Sequence, residues 1–366
     1  MNTYGQSAKA VLTVNELRKS IKDKLPSFHA NNCLLSKKAF EQCTSEDVAT
    51  YKASLFEGKS ILVLAGGLGI DDIAFSRKFN EVISIEPDIE LNDICKFNFN
   101  KLNINNITRI SEKAEDFLAH SNKKFDLVYI DPDRRADDKR QILLKDHLPN
   151  CIDLMPILKN IANQIVIKCS PLYDYEQAFK ELDNINKMYA ISRNGEMKEL
   201  LIVCQSETVS RNDCQLLAVD VKSDKTLMAE FRLDSNSKNN ISTNGKYLYE
   251  AGSSVVKLRQ FLSYAEQLDL EIIHQSVPYF RSDNLIKDFI GRSFEIINAF
   301  EFSSKSCSNY LKSLSIDKIN LKVRGMKYST ESLRKSLKIN VGGEEFLFVL
   351  PGNGHATAYH CKKTGN

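Results

Sequence analysis

Glu86, Asp131 and Lys168 each stand at the end of an apolar run, where a strand stops and its last side chain can meet a ligand. Glu86 follows Val82-Ile83-Ser84-Ile85, and a carboxylate at such a tip can accept both hydrogen bonds of a ribose diol. Asp131 follows Phe125-Asp126-Leu127-Val128-Tyr129-Ile130 and precedes Pro132, which stiffens the turn. An acid there faces a reacting group, because ligands bind outside the carboxyl ends of parallel strands. Asp133-Arg134-Arg135 follows. The paired guanidiniums match the geometry of a phosphate, although Asp133, Asp137 and Asp138 are equally available to neutralise them. Lys168-Cys169-Ser170-Pro171 ends a further run, Gln164 to Lys168. Lys168 and Ser170 are candidates to line a pocket. Cys169 could attack C6 of a pyrimidine if Lys168 favoured its thiolate, but an inert buried cysteine is the commoner outcome at a strand end.

These residues need a scaffold, and Ile61-Leu62-Val63-Leu64-Ala65-Gly66-Gly67-Leu68-Gly69-Ile70-Asp71-Asp72 provides its start. An apolar run ends in clustered glycines, a helical stretch from Ile73 to Lys78 follows, and Glu86 comes twenty residues after Gly66. Strand, glycine turn, helix and acid-tipped strand make a nucleotide-binding βαβ unit. Glycine suits the turn because some positions need positive φ and because a Cβ would block a ligand's approach to the backbone. Ala65, Gly66, Gly67, Gly69 and Asp71 are therefore candidate ligand-binding residues beside Glu86. The spacing is not GxGxxG, so a pyrophosphate at a helix N-terminus is disfavoured. S-adenosylmethionine has no phosphate and carries a sulfonium suited to a carboxylate-lined pocket. Ser111-Glu112-Lys113-Ala114, after the third strand, is placed to read an adenine through a side chain and a backbone N–H, which adds Lys113 and Ala114.

The pattern around the unit is α/β. Residues 1–57 read as a helical region, with helices expected over Val14–Ile21 and from Ser45 onward. Between them Phe40-Glu41-Gln42-Cys43-Thr44-Ser45-Glu46 reads as a loop with an N-cap, or as a lid over the ligand. Residues 58–275 alternate strands and helices, with Met188–Ser192 and Leu200–Val203 an antiparallel closing pair. The charged turn Glu196 to Glu199 reads as a solvated loop or as an acceptor-positioning one. Asp234–Lys246 is an expected exposed loop and Tyr247–Leu268 an expected helix. Residues 276–366 read as an α+β domain ending in a strand at Glu345–Leu350. Lys312–Lys338 holds eight Lys/Arg against two acids, which reads as a solvated face or, because Arg324-Gly325-Met326-Lys327-Tyr328 combines cations with an aromatic ring, as an RNA surface.

The 366 residues allow two or three cored domains. A net charge of +3 does not by itself name a polyanionic partner. No apolar run approaches the roughly 20 residues of a membrane span, and no secretory leader is visible. Nine dispersed cysteines without a CxxC pair suggest reduced thiols in a cytoplasmic protein, with no structural metal.

Taken together, Gln42 to Glu46, Ala65 to Asp71, Tyr129 to Arg135, Lys168 to Pro171, Glu196 to Glu199 and Lys322-Val323-Arg324-Gly325 occur in the order of a bacterial family. The chain resembles, over nearly its whole length, class I S-adenosylmethionine-dependent methyltransferases with a C-terminal THUMP-like domain. The resemblance implies a Rossmann-like sheet preceded by helices and followed by a small ferredoxin-like segment and the THUMP-like end. It implies S-adenosylmethionine as cofactor and an RNA substrate, chiefly tRNA, because THUMP domains proper bind RNA. Asp131, Pro132, Arg134 and Lys168 would then be catalytic, and Arg135, Lys322, Arg324 and Lys327 would meet RNA. Two departures stand out. Asp131-Pro132-Asp133 is not the (N/D)PP(Y/F) loop of amino methyltransferases, and Leu64-Ala65 replaces the acid that often opens the glycine motif and holds the methionine amino group.

Overall fold

The computed structural model describes residues 18–133, 135–136, 139–140, 143–233, 240–241, 245–352 and 354–364. The chain forms two compact units, Met1–Leu217 with Val221–Lys225, and Ala218–Asp220 with Thr226–Asn366. The first unit opens on four short helices, α1 (Arg18–Lys24), α2 (Pro26–Ala30), α3 (Lys37–Gln42) and α4 (Glu46–Ser54). Of the first expected helix, residues 14–17 lie outside the described residues. The expected loop and N-cap narrow to Cys43-Thr44-Ser45, because Ser36 caps α3 by accepting from the Ala39 N–H and extends that helix to Gln42.

The sheet of this unit is built from β1 (Gly58–Leu64), β2 (Phe79–Ile85), β3 (Ile107–Ile110), β4 (Phe125–Ile130), β5 (Ala162–Cys169), β6 (Ile185–Arg193) and β7 (Glu196–Gln205). Their order is β6-β7-β5-β4-β1-β2-β3. β1 to β5 run parallel, β7 runs antiparallel to β5, and β6 pairs antiparallel with β7. The closing pair expected from sequence is present, with its second strand inserted next to β5. Helices α5 (Ile70–Phe75), α6 (Ile89–Lys101), α7 (Ala114–His120), α8 (Cys151–Ile161) and α9 (Tyr175–Glu181) connect the parallel strands and lead into the closing pair. Ile61–Leu64 and Leu127–Ile130 are buried throughout, as strands covered on both faces must be. The direction of winding reverses between β1 and β4, which opens the ligand crevice at their carboxyl ends.

Strands β8 (Gln215–Val221) and β9 (Thr226–Arg232) follow as expected. The expected loop at 234–246 falls almost wholly outside the described residues. The second unit carries a seven-stranded sheet of β10 (Tyr247–Ala251), β11 (Glu271–Ile272), β12 (Tyr279–Ser282), β13 (Gly291–Glu301), β14 (Asn320–Val323), β15 (Glu345–Pro351) and β16 (Ala356–Lys363), ordered β11-β12-β10-β13-β16-β15-β14. The helix expected over Tyr247–Leu268 is corrected here. Its first part is β10, and α10 (Ser253–Lys257) and α11 (Phe261–Gln267) take the rest. Gly252 breaks the run, since a Cβ there would lie 2.9 Å from Ile290. The strand at Glu345 is also not the last, because β16 pairs antiparallel with it. Helices α12 (Ser304–Ser313) and α13 (Thr330–Leu337) bury Cys307, Leu311, Leu333 and Leu337 with Leu347 and Val349 of β15.

Asn98 of α6 fixes the N-terminal segment to the sheet unit. Its amide accepts from Leu34 N–H and donates to Leu34 C=O, both at 2.7 Å, with no exposed surface. Asn98→Ala would leave both backbone groups unpaired in the interior. Unfolding in urea should show a loss of about 2 kcal/mol or more, whereas a surface change such as Asn100→Ala should move stability by less than about 0.5 kcal/mol.

Candidate active site

The glycine turn takes its shape from the residues beneath it. A Cβ on Gly66 would lie 2.2 Å from Ser84 Oγ and 2.5 Å from an Arg109 guanidinium nitrogen. Arg109 is buried, ion-paired with Asp72 at 2.7 Å, and donates to Gly67 C=O at 2.8 Å and to Asn92 Oδ1 at 2.7 Å. Gly66 is therefore required by the protein's own packing. Gly67 and Gly69 have φ of 52° and 77°, and Ala65 adopts 60°, a left-handed conformation unusual for a residue with a side chain. A Cβ on Gly67 would meet nothing within 4 Å, so open volume adjoins that residue.

Glu86 sits half-buried at the tip of β2. One carboxylate oxygen accepts from Gly67 N–H at 2.9 Å and the other from Asp88 N–H at 3.2 Å. Asn92 donates to Glu86 C=O at 2.7 Å and to Ser111 Oγ at 2.8 Å, which ties the tips of β2 and β3 together. Exposed Lys113 is the N-cap of α7, and buried Ala114 is its first residue.

Sequence reasoning missed the centre of the site, which is Lys52. The side chain of this α4 lysine has no exposed surface. Its ammonium lies 3.0 Å from Asp71, 3.0 Å from Glu199 and 2.8 Å from Tyr129 OH. Tyr129 OH donates in turn to Asp71 at 3.0 Å. Lys168, at the end of β5, donates to Asp131 at 2.6 Å and to Thr44 Oγ at 3.0 Å, and stands 4.0 Å from Asp71. Thr44 Oγ also donates to Asp71 at 3.3 Å. Thr44 and Ser45 are buried, and Glu46 accepts from Ser27 N–H at 3.0 Å. The stretch that could be a lid is here packed against the crevice by these bonds. Burial alone would raise the Asp71 carboxyl, but Lys52 and Lys168 outweigh it and hold it below the usual range. Burial likewise opposes charge on Lys168, but Asp131, Asp71 and Glu199 outweigh it and keep the ammonium charged well above its ordinary range.

Asp131, Lys168 and Asp71 are therefore brought together, with Glu199 from the charged turn buried beside them. Pro132 is buried next to Asp131. Asp131 is the most open of the group, its side chain 35% exposed against 13% for Lys168. Its second carboxylate oxygen makes no hydrogen bond among the described residues. Cys169 is 3% exposed and belongs to the interior. Arg134 lies outside the described residues, and Arg135 falls in a two-residue strand, Arg135–Ala136. In the second unit Lys322 is paired with Glu250, while Arg324 and Lys327 are exposed. Among the described residues no group of three or more His, Cys, Asp or Glu could hold a metal ion.

Removing Lys52 would strand two buried carboxylates. Lys52→Met should cost about 3–5 kcal/mol in urea unfolding, and a loss below about 1 kcal/mol would rule out its role as the hub. The pH dependence has a defined sign. Asp71, with its folded pKa below the ordinary 3.8, contributes stability that is complete above that value and is lost as pH falls through the folded pKa. Lys168, raised above 10.5, contributes stability that is complete below that value and is lost only as pH rises through its folded pKa. Unfolding free energy should therefore fall below about pH 4 in the wild type, with a shallower fall in Asp71→Asn.

Residues 51–189 match the family model of conserved hypothetical protein 95, and residues 291–363 match that of THUMP domain-like proteins. No curated protein matches the sequence. Among solved structures, the chain is similar to a "putative methyltransferase" from Porphyromonas gingivalis W83, at a TM-score of 0.85 and 24% identity, over 97% of this chain and 90% of that one. It also aligns with a ribosomal protein L11 methylase from Lactobacillus delbrueckii subsp. bulgaricus, at a TM-score of 0.31 and 18% identity, over 44% of this chain and 77% of that one. The chain thus has the fold of that putative methyltransferase, with the parallel strand order and crevice between β1 and β4 described above, and its C-terminal end matches THUMP domain-like proteins.

Proposed function

We propose that the protein is an S-adenosylmethionine-dependent methyltransferase acting on RNA, with tRNA the first candidate substrate. The observation that carries this reading is the charge balance at the ends of β1, β4 and β5. Two cations, Lys52 and Lys168, stand against three carboxylates, Asp71, Asp131 and Glu199. The excess acid complements a sulfonium in a water-poor crevice. The residues present fit the donor, because the volume beside Gly67 is open and Glu86 is held against the turn by Gly67 N–H and steadied by Asp88 N–H. Ala65, Gly66, Gly67, Gly69 and Glu86 would hold its nucleoside, with Lys113 and Ala114 beside the base. Asp131 N–H donates to Leu64 C=O at 3.2 Å, which seats this acid next to Ala65 and lets it serve where the usual acid is absent.

The bound donor supplies an electrophilic methyl group. The chain's own residues do the rest by positioning and exclusion of water. Lys168 clamps one oxygen of Asp131, and the other oxygen faces the crevice to orient the acceptor or take its proton. Thr44 and Asp71 fix Lys168 in turn. Arg134 would act beside Asp131, and Arg135, Arg324 and Lys327 would meet phosphates, with Lys322 behind them. The cytoplasm is the expected site of action, in keeping with nine free cysteines. Ala65 favours a second reading, an RNA-binding protein on a methyltransferase fold that has lost catalysis.

Isothermal titration with S-adenosylmethionine should give saturable heat, and Glu86→Gln should weaken binding about tenfold or more. No heat at millimolar ligand would remove the cofactor assignment. Mass spectrometry of nucleosides should find one methylated nucleoside missing from RNA of cells without the protein. Purified protein should restore it with labelled donor, and Asp131→Ala should slow that transfer by about a hundredfold. RNA binding with no transfer would favour the second reading.

A further inference from the structure

In the second unit, three strands bring side chains to one carboxylate on a fourth. Glu250 of β10 lies opposite Tyr279 of β12 on one side and Arg292 of β13 on the other. Directly opposed residues in an antiparallel sheet share a face. Lys322 reaches the same carboxylate from β14. One Glu250 oxygen accepts from Tyr279 OH at 2.6 Å and Lys322 at 3.2 Å, and the other meets Lys322 at 3.0 Å and Arg292 at 2.5 Å. Glu250 is 9% exposed and its acceptor capacity is full. Burial would raise its pKa, but Tyr279, Lys322 and Arg292 outweigh that and keep it ionised.

The donors are not balanced in the same way. Arg292 spends one nitrogen on Glu250 and its side chain is 46% exposed. Exposed Arg324 spends one nitrogen on Val323 C=O at 3.1 Å. Neither guanidinium has another partner among the described residues. Burial lowers the Lys322 pKa against the pull of Glu250, and Arg292 and Arg324 lower it further, so both guanidiniums act on the one ammonium. One cation would neutralise Glu250, and two more add repulsion without a matching gain in stability. Forked donors that face solvent, one of them anchored from behind by a saturated carboxylate, suit a phosphate.

We propose that Arg292 and Arg324 together bind a backbone phosphate of the RNA substrate, with Glu250 and Lys322 holding Arg292 in place and the Val323 carbonyl holding Arg324. The proposal rests on the RNA reading above and names where the THUMP-like unit grips the chain. Lys322 becomes a positioning residue, because its ammonium is turned to Glu250 and its side chain is only 19% exposed.

The test is fluorescence anisotropy of the full chain with an unmodified tRNA transcript, over about 50–200 mM salt. Arg292→Ala and Arg324→Ala should each weaken binding about five- to tenfold, and the double variant should flatten the slope of log K against log salt by about 0.7–0.9, the share of one phosphate. Arg292→Lys, which keeps the charge and loses the fork, should fall between Arg292→Ala and wild type. Lys305→Ala, which removes an exposed cation elsewhere on the unit, should leave both quantities near wild type. Wild-type affinity and slope in the Arg292→Ala/Arg324→Ala double variant would overturn the proposal. So would losses of equal size in Lys305→Ala, or no RNA affinity in the wild type. Methyl transfer is read separately. Transfer with an unchanged double variant would defeat this inference and keep the activity, and variant-sensitive binding without transfer would do the reverse.

Discussion

A lysine with no exposed surface can remain charged only if the fold surrounds it with acceptors, and Lys52 imposes that condition on the first unit. Its partners come from the loop before α4, the start of α5, the end of β4 and the start of β7. The N-terminal helices are consequently part of the crevice at the carboxyl ends of the strands. Lys52 cannot leave without exposing two buried acids, and Thr44 cannot shift without releasing Lys168. Arg109 applies the same logic from the other side of the turn, where it joins β3 to Asp72, Gly67 and Asn92. Two buried cations thus hold the loop between β1 and α5 from either flank.

Much of this was legible in the residues. Apolar runs located the parallel strands, and the acids and lysine at their ends marked the crevice, because only strand termini free a side chain there. Lys52 was harder to see. Val48, Ala49, Lys52 and Ala53 are the buried positions of α4, so the lysine sits one turn after Val48 on the apolar stripe. Read alone it looks like any charged helix residue, and only its place on that stripe distinguishes it. Tyr247 to Ala251 imitates a helix in sequence because it runs straight into Ser253–Lys257. Its two tyrosines and the Gly252 that ends it are the strand signal. No local pattern could have shown that Glu250 meets Lys322, since 72 residues separate them and the sheet order that joins them is non-sequential.

The two clusters differ in the sign of what they leave over. Around Lys52 and Lys168 one carboxylate is in excess, and around Glu250 two cations are. Each surplus is stabilised by burying the opposite charge at its centre, a lysine in one case and a glutamate in the other. A buried counter-charge fixes the geometry of the outer groups and leaves their unused hydrogen-bonding capacity directed outward.

Gly66 is demanded by the packing beneath it as well as by any ligand above it. The space its missing Cβ would occupy is filled from below by Ser84 and Arg109. A descendant that had abandoned its ligand would still be obliged to keep this glycine, since replacing it would disturb the packing between β1, β2 and β3. The glycine turn by itself is then a record of architectural necessity, and the side of Gly67 that no atom of the described residues fills is the place where a change of trade would first be written.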